Sequence, residues 1–424
     1  MIPLLSIVFL TPLSQEIYIF GFHLFVIRIL ILTGCIRMAW TKYSSSAKIL
    51  AGGFTSLDKA FLLWATFRAL AFILLFLVPG AVVNRFGFLW DALGGYFLLR
   101  FLVQDQKDIQ RVVRCFAVFA IILAACMLNE QFTGHNIFGT LGGVRTISEI
   151  RDGRIRSQAA FGHPLLAGAW GGTTFPLFVL LWKFGRAKLL ALAAMMSCVV
   201  MVVTSATSTS ILALGAGILG LLFWPFRRHM REIRWGIIVG ILLLQVAMHA
   251  PVWYVISHID LTGGSSSYQR AVLIDHFICN FGDWWLLGTK SNASWGADMW
   301  DTINQYVQEG EDGGLATLIC FVALIVISFR WIGKARKMVQ GDRRKELYYW
   351  ILGATLFAHT IGYFGISYFD SQTRMSWYAL LCMISAATVT AIRKPAELQQ
   401  SFAPPPMPEL ETQARSESSS SLFG

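Results

Sequence analysis

Charged residues are scarce in this chain. Asp, Glu, Lys and Arg make up 14% of the 424 residues, whereas 55% are hydrophobic, and the mean hydropathy is +0.58. A soluble domain has about a quarter of its residues charged, so the composition excludes an ordinary soluble protein and indicates a membrane protein. The net charge of +11 fits basic cytoplasmic loops, and no nucleic-acid partner is expected.

Two further kinds of signal are lacking. Of the seven cysteines, only Cys279 falls in a large loop, and the other six lie in apolar runs, which leaves no disulfide framework. No Walker loop, no Rossmann glycine pattern and no HExxH motif occurs. The sequence therefore predicts no cofactor and no metal site.

Long apolar segments dominate what remains. Eleven of them approach the length that a bilayer requires, and residues 2–12 are too short for a confident twelfth. The predicted spans are 17–38, 61–81, 87–103, 111–129, 164–184, 187–205, 208–226, 234–251, 313–333, 348–368 and 374–392. We expect an all-α integral membrane protein with about 11–12 transmembrane helices over residues 1–392. The Pro- and Ser-rich remainder, 393–424, is expected to be a disordered tail.

Charge in the connecting segments predicts the orientation. Basic residues cluster in the loops around 42–59, 107–114, 183–188, 227–234 and 330–345, and alternating spans place all of these on one side. By the positive-inside rule that side is cytoplasmic, and the C-terminus lies there too. Two long loops, 130–163 and 252–312, then face the opposite side.

The first long loop carries arginines on the side that should be poor in them. They are Arg145, Arg151, Arg154 and Arg156. Guanidinium groups bind phosphate in a bidentate manner, so a diphosphate at the level of the lipid headgroups is the natural ligand of Arg154 and Arg156. The alternatives are a solvated loop, or pairing with Glu149, Asp152 or lipid phosphates.

Other polar residues follow these arginines. Pro164 suits the first turn of a helix. His163, directly before it, is either an interfacial residue or a proton acceptor near neutral pH. Gln158 offers an amide that can hold a sugar hydroxyl.

The second long loop contains a single predicted helix with one arginine. Apolar spacing from Tyr268 indicates a short helix on the membrane surface, and Trp284 and Trp285 fit an interfacial aromatic belt. Arg270 either pairs with Asp275 or Asp260, or completes an anion site with Arg154 and Arg156.

The end of this loop combines carboxylate, amide and aromatic groups, as carbohydrate sites do. Glu311 and Asp312 stand just ahead of a span and are predicted to cap its helix. Asp301 could act as a general base for a hydroxyl acceptor, or simply turn the chain. Asn304 and Tyr306 are candidate sugar-binding residues.

Taken together, these residues resemble the O-antigen ligase and polysaccharide polymerase family of bacterial inner membranes. The resemblance covers roughly residues 60–392 and rests on three stretches. They are Arg-x-Gln-x-x-Phe-x-His-Pro (Arg156, Gln158, Phe161, His163, Pro164), a serine-rich loop ending in Arg270, and Asn304-x-Tyr306 leading to Gly313-Gly314.

The resemblance implies a membrane glycosyltransferase fold and a reaction on the periplasmic face. A glycan would move from an undecaprenyl diphosphate carrier to an acceptor glycan or lipid-linked glycan, with external arginines holding the diphosphate and no metal required. Membrane lipid and polysaccharide export proteins are the other expected partners.

The chain departs from the family pattern at two places. Ile303 stands where ligases usually have a histidine, which leaves Asp301 or His163 as the base. Thr204 to Ser210 reads TSATSTS where many members have Ser-Arg-Gly. These departures favour polymerisation of exopolysaccharide or O-antigen over ligation.

Two other functions compete with this one. The first is a secondary transporter or flippase of lipid-linked glycan, which would need acidic residues within the spans. Arg28 and Arg68 are the main charges there, and neither has an evident acidic partner inside a span. The second is a non-catalytic partner in a polysaccharide export complex.

Overall fold

The computed structural model describes residues 2, 7–12, 16–19, 22–44, 50–258 and 267–401, with the backbone alone at 16–19, 22–24 and 393–401. Asp260 and residues 402–424 of the predicted tail lie outside this part of the chain. The described part of the chain is all-α, with 77% of its residues in helices.

Fourteen α-helices and two short hairpins are found in the described part of the chain. The first helices are α1 (Val26–Ser44), α2 (Ser56–Phe76), α3 (Pro79–Leu89), α4 (Gly95–Leu102) and α5 (Gln106–Thr133), with a π-helical turn, Trp90–Gly94, between α3 and α4. The middle group is α6 (Pro164–Phe184), α7 (Lys188–Thr204), α8 (Ser208–Leu222), α9 (Met230–Ala247), α10 (Ser267–Cys279) and α11 (Phe281–Trp284). The last are α12 (Gln305–Met338), α13 (Arg343–Gly362) and α14 (Ser371–Ser401). The hairpins pair β1 (Glu16–Ile19) with β2 (Phe22–Phe25), and β3 (Glu149–Arg151) with β4 (Arg154–Arg156).

Five of the described helices are long and apolar enough to cross a membrane: α2, α5, α6, α12 and the Ser371–Ile392 part of α14. A sixth span results if α9 and the 3-10 helix Val252–His258, which meet at 90°, form one broken span. A helical membrane protein is thus confirmed. The number of full-length spans is smaller than the eleven predicted, since α7 and α8 are apolar but shorter.

The predicted first span, 17–38, begins too early. Residues Glu16 to Ile19 instead form an antiparallel ladder with Phe22 to Phe25, and the helix begins only at Val26. Ile17, Tyr18 and Ile19 have β-branched or aromatic side chains, which favour strands over helices. High hydropathy alone did not distinguish an apolar strand from the start of a membrane helix.

The span predicted from 313 also begins elsewhere. The helix α12 begins at Gln305 after an Asn304 cap, and it kinks at Gly313 and Gly314, where Gly314 has φ of 68°. A Cβ at Gly314 would lie 2.5 Å from the carbonyl oxygen of Leu286, so this crossing requires glycine. Glu311 and Asp312 lie just ahead of this kink, but their side chains do not form the predicted cap: Glu311 accepts from Asn292 and Thr302, and Asp312 pairs with Arg68.

Two hydrophobic cores hold these elements. The larger lies within the bundle, where α2 packs along α12 and α6 contacts α7, α8 and α13. The smaller includes Phe277, Trp284 and Trp295 from the second loop. The helix predicted from Tyr268 is confirmed as α10, but Trp284 is not an interfacial residue. It is 3% exposed, stacks on Phe277 with ring centroids 3.9 Å apart, and donates its indole N–H to the Phe277 carbonyl oxygen.

Candidate functional site

A buried carboxylate, Glu130, folds the first long loop onto the end of α5. Glu130 is 1% exposed. Its Oε2 accepts the backbone N–H groups of Gln158 at 3.0 Å and Ala159 at 2.9 Å, and its Oε1 accepts the Ser148 hydroxyl at 3.0 Å. These bonds join two parts of the loop, at Ser148 and at Gln158–Ala159, to α5, so the loop has a defined conformation at this point.

The hairpin of β3 and β4 projects from this anchored loop. Its turn residues Asp152 and Gly153 have φ of 51° and 72°, as a two-residue hairpin turn requires. Arg156 pairs in register with Glu149, is 5% exposed, and donates from Nη1 to Glu149 Oε1 at 2.5 Å. Arg154 is exposed. The two predicted phosphate-binding arginines thus differ, because only Arg154 is free of a strong internal ion pair.

His163 caps α6 and faces the same carboxylate. Its Nδ1 accepts the Leu165 N–H at 3.2 Å, and its Nε2 lies 3.8 Å from Glu149 Oε2. Partial burial, followed by the positive charge of Arg156, lowers the pKa of His163 to about 4, so the ring is neutral at pH 7. Because the cap bond occupies the lone pair of Nδ1, the proton of the neutral ring sits on Nε2. This arrangement makes His163 a hydrogen-bond donor and argues against a role as the base.

The connection between α13 and α14, taken here to include Gln372 in the first turn of α14, joins the two long loops. Gln372 donates to the Ala160 carbonyl oxygen of the first loop at 3.0 Å. Ser367 donates to the Thr302 carbonyl oxygen of the second at 2.9 Å, and the Tyr368 N–H donates to Gln305 Oε1 at 2.6 Å. Both loops therefore lie at the same end of the helical bundle, here termed the loop end.

Buried hydroxyl groups line the turn between α7 and α8, where many members of the family resembled have an arginine. Ser205 and Ser210 are 0% exposed, and a Cβ at Gly168 would approach both of their Oγ atoms to 2.2 Å. The Ser157 N–H donates to the Thr204 carbonyl oxygen at 3.0 Å. This turn packs against α6 and the first loop and adds no positive charge.

The Asn304 and Tyr306 side chains have structural partners. Asn304 is 1% exposed, accepts the N–H groups of Tyr306 and Val307 as the α12 cap, and donates to the Phe364 carbonyl oxygen. The Tyr306 hydroxyl donates to the Thr360 carbonyl oxygen at 3.0 Å. These bonds account for both side chains without a sugar, and Gln158 is likewise buried at 3% exposure.

Asp301 and Arg270 lie elsewhere in the second loop. Asp301 is exposed, and partial desolvation of its carboxyl group, then the charge of Asp298, raises its pKa. Arg270 is 7% exposed on α10, a helix that packs against Val252–His258. Its predicted partner Asp275 accepts the Trp253 indole N–H. The described contacts do not bring Arg270 to the β3–β4 hairpin.

Acidic partners for the arginines within the spans were missed in the sequence. Arg28 donates to both carboxylate oxygens of Asp91, at 3.0 and 3.1 Å. Arg68 pairs with Asp312 and, at 2.8 Å, with Glu309, which also accepts the Trp64 indole N–H. The sequence-based argument against a transporter, that these arginines have no acidic partner, is therefore wrong. Contacts between α2 and α12 span some 240 positions, which no local pattern reveals.

Comparison with known proteins gives no family: no family model and no curated protein matches the sequence. Across the described ranges, no group of three or more His, Cys, Asp or Glu side chains is placed to hold a metal ion.

Replacing Glu130 by Gln should loosen the first loop. The amide that replaces Oε2 cannot accept two N–H groups, so the Gln158 and Ala159 amides should exchange with deuterium about tenfold faster, as expected for loss of roughly 1–2 kcal/mol of local protection. Hydrogen exchange with peptide-level mass spectrometry measures this rate. Glu149→Gln is the matched control, since Glu149 accepts neither amide, and equal exchange in both variants would contradict the assignment.

His163 should titrate with a pKa of about 4, far below its ordinary value of 6.5. Since the unfolded state gains a proton first, the contribution of His163 to folding stability is complete above pH 6.5 and is lost as the pH falls towards 4. NMR of ¹³C-labelled histidine measures the titration. Arg156→Gln should shift the pKa of His163 upwards, whereas a wild-type value near 6.5 would refute the proposed environment.

Proposed function

We propose that this protein transfers a glycan from a polyprenyl diphosphate donor to a sugar hydroxyl at the outer face of a bacterial inner membrane. The observation that carries the proposal is the tie between the two long loops through the α13–α14 connection. It gives the arginines of the first loop and the carboxylate of the second a shared end of the membrane domain.

The β3–β4 hairpin has the charge that a diphosphate needs. Arg145 lies 3.7 Å from Glu149, which also pairs with Arg156, and Arg151 lies 3.9 Å from its neighbour Asp152. Four arginines thus face two carboxylates within 145–156. An incoming diphosphate would bind the exposed Arg154 first and then compete with Glu149 for Arg156.

The reaction balances with the groups at this end. The acceptor hydroxyl oxygen attacks the anomeric carbon, the bond from that carbon to the phosphate oxygen breaks, and the polyprenyl diphosphate leaves with the electron pair. Asp301, whose pKa is raised, would take the hydroxyl proton. Arginines, and the Nε2–H of His163, would stabilise the charge on the leaving diphosphate. Arg270 would stabilise the same charge from the second loop; this role comes from the family resemblance and not from a contact with the hairpin.

The choice of a growing polymer as the acceptor rests on the sequence and not on a contact in the structure. Ile303 instead of histidine favours growth of a polymer over ligation to a lipid core, and polysaccharide export proteins would take up the product. The C-terminus would lie in the cytoplasm, as the basic loops indicate.

Transport of an intact lipid-linked glycan is the second candidate function. It is favoured by the Arg68–Glu309 ion pair, in which Glu309 is 0% exposed. Ionisable groups buried between membrane helices are often part of substrate or proton pathways.

A reconstituted assay with lipid-linked oligosaccharide separates these functions. Wild-type protein should lengthen the glycan. Arg154→Ala, Arg270→Ala and Asp301→Ala should each slow chain growth by roughly tenfold to a thousandfold, because each removes charge stabilisation or the base. Gel analysis of glycan length measures the rate.

Lys188→Ala is the matched control, since Lys188 is exposed at the start of α7, outside the proposed site. It should extend the glycan at the wild-type rate. Unchanged glycan length with wild-type protein, or a glycan moved intact across the bilayer, would contradict the transferase proposal and support transport.

A further inference from the structure

A second cationic feature lies beside the bundle, apart from the β3–β4 hairpin. Arg85 projects from α3, with its guanidinium carbon 3.5 Å from the Phe72 ring centroid and 5.7 Å from that of Phe88. Phe72 contacts Phe76, with ring centroids 4.3 Å apart, and the Lys290 ammonium lies 5.8 Å from the Phe76 ring centroid. Two cations thus flank one aromatic pair, and we term this surface the Arg85–Lys290 site.

Arg85 lacks a carboxylate at ion-pair distance in the described part of the chain. Its Nε is buried without a hydrogen-bond acceptor, and none of the ion pairs among the described residues includes Arg85. The neighbouring Arg68 differs, since its guanidinium forms ion pairs with Glu309 and Asp312. The Arg85 guanidinium is half-buried against aromatic rings, and the nearby Asp312 pairs directly with Arg68 and acts on Arg85 only over a longer distance. The N–H donors of Arg85 therefore remain for a further anion.

The site lies at the loop end of α2. Lys290 belongs to the second loop. This loop is held at the α12 kink, where the Leu315 N–H donates to the Trp285 carbonyl oxygen. The kink residue Gly313 lies against Arg68 of α2. The chain leaves α2 at Leu77, which has φ of 50°, and enters α3 at Pro79. Cations at this level of a membrane helix meet the phosphate groups of the lipids.

The surrounding surface is apolar and exposed. Val83 and Phe86 on α3 are 72% and 71% exposed, and Leu77 is 77% exposed. In a membrane protein such side chains face acyl chains. A ligand at the site would therefore contact an apolar surface and paired cations together, and a lipid with acyl chains and an anionic phosphate is complementary to both.

We propose that the Arg85–Lys290 site binds the phosphate of a membrane lipid. The Arg85 fork and the Lys290 ammonium hold the phosphate oxygens, the Phe72–Phe76 pair fixes both cations, and the apolar face of α3 receives an acyl chain. The site is separate from the hairpin and does not depend on the proposed glycosyl transfer.

Native mass spectrometry of the full chain released from detergent tests the proposal. Purified protein is mixed with phosphatidylglycerol, phosphatidic acid or diacylglycerol, which share acyl chains and differ in the phosphate. Wild-type protein should retain the two phosphate lipids and release diacylglycerol. Arg85→Gln and Lys290→Gln should each weaken retention about tenfold, as expected for one charge-assisted contact, and Arg85→Lys should lose less than Arg85→Gln.

Arg186→Gln is the matched control, because Arg186 is exposed in the short loop between α6 and α7. It should retain phosphate lipids as wild type does. Inorganic phosphate added in excess distinguishes the ligand's source. Failure to displace the lipid supports a lipid-borne phosphate, and displacement assigns the site to free phosphate and overturns the lipid assignment. Equal retention in wild type and Arg85→Gln with normal thermal unfolding, or equal retention of diacylglycerol, would overturn the proposal altogether.

Discussion

The hydrogen bonds of the α13–α14 connection are the constraint on which the loop end depends. Gln372, which is 0% exposed, reaches Ala160 of the first loop and Thr11 near the N-terminus, while Ser367 and Tyr368 reach the start of α12. Backbone carbonyl groups at the ends of membrane helices have no water to satisfy them when they are buried. Joining the loops through these groups satisfies the backbone and fixes the two loops relative to each other.

Among the described residues, the arginines fall into two kinds, those with a carboxylate partner and those without one. Arg28, Arg68 and Arg100 lie within the bundle and have carboxylate partners in Asp91, Glu309 and Asp58. Arg154 is exposed, and Arg85 lies against aromatic rings with no carboxylate at ion-pair distance in the described part of the chain. Internal ion pairs offset the cost of burying charge, whereas arginines left without one are available to a phosphate ligand. This contrast is the basis on which we propose phosphate ligands for Arg154 and Arg85.

Local signals predicted a good part of this arrangement. Apolar length predicted most helices, and Pro164, with His163 before it, marked the start of α6, because caps and hydropathy depend on neighbours in sequence. The helix from Tyr268 followed from apolar spacing in the same way. Strand propensity at Ile17 to Ile19 conflicted with hydropathy, and hydropathy gave the wrong answer there.

Interactions between distant elements could not be predicted. Nothing in the sequence pairs Arg68 with Glu309 or places the Glu130 carboxylate under Gln158, because these contacts depend on how α2, α5 and α12 pack. The Asn304-x-Tyr306 stretch was recognised, yet its side chains cap α12 and bind backbone carbonyl groups. A residue pattern identified the segment, but only the packing determined what each side chain contacts.

Release of polyprenyl diphosphate during the reaction tests the central claim most directly. Protein in liposomes is given lipid-linked glycan and acceptor, and mass spectrometry counts the carrier freed and the glycosidic bonds formed. Glycosyl transfer predicts one polyprenyl diphosphate released for each new bond. Glycan that changes sides of the bilayer while still attached to its carrier, with no free diphosphate, would contradict it.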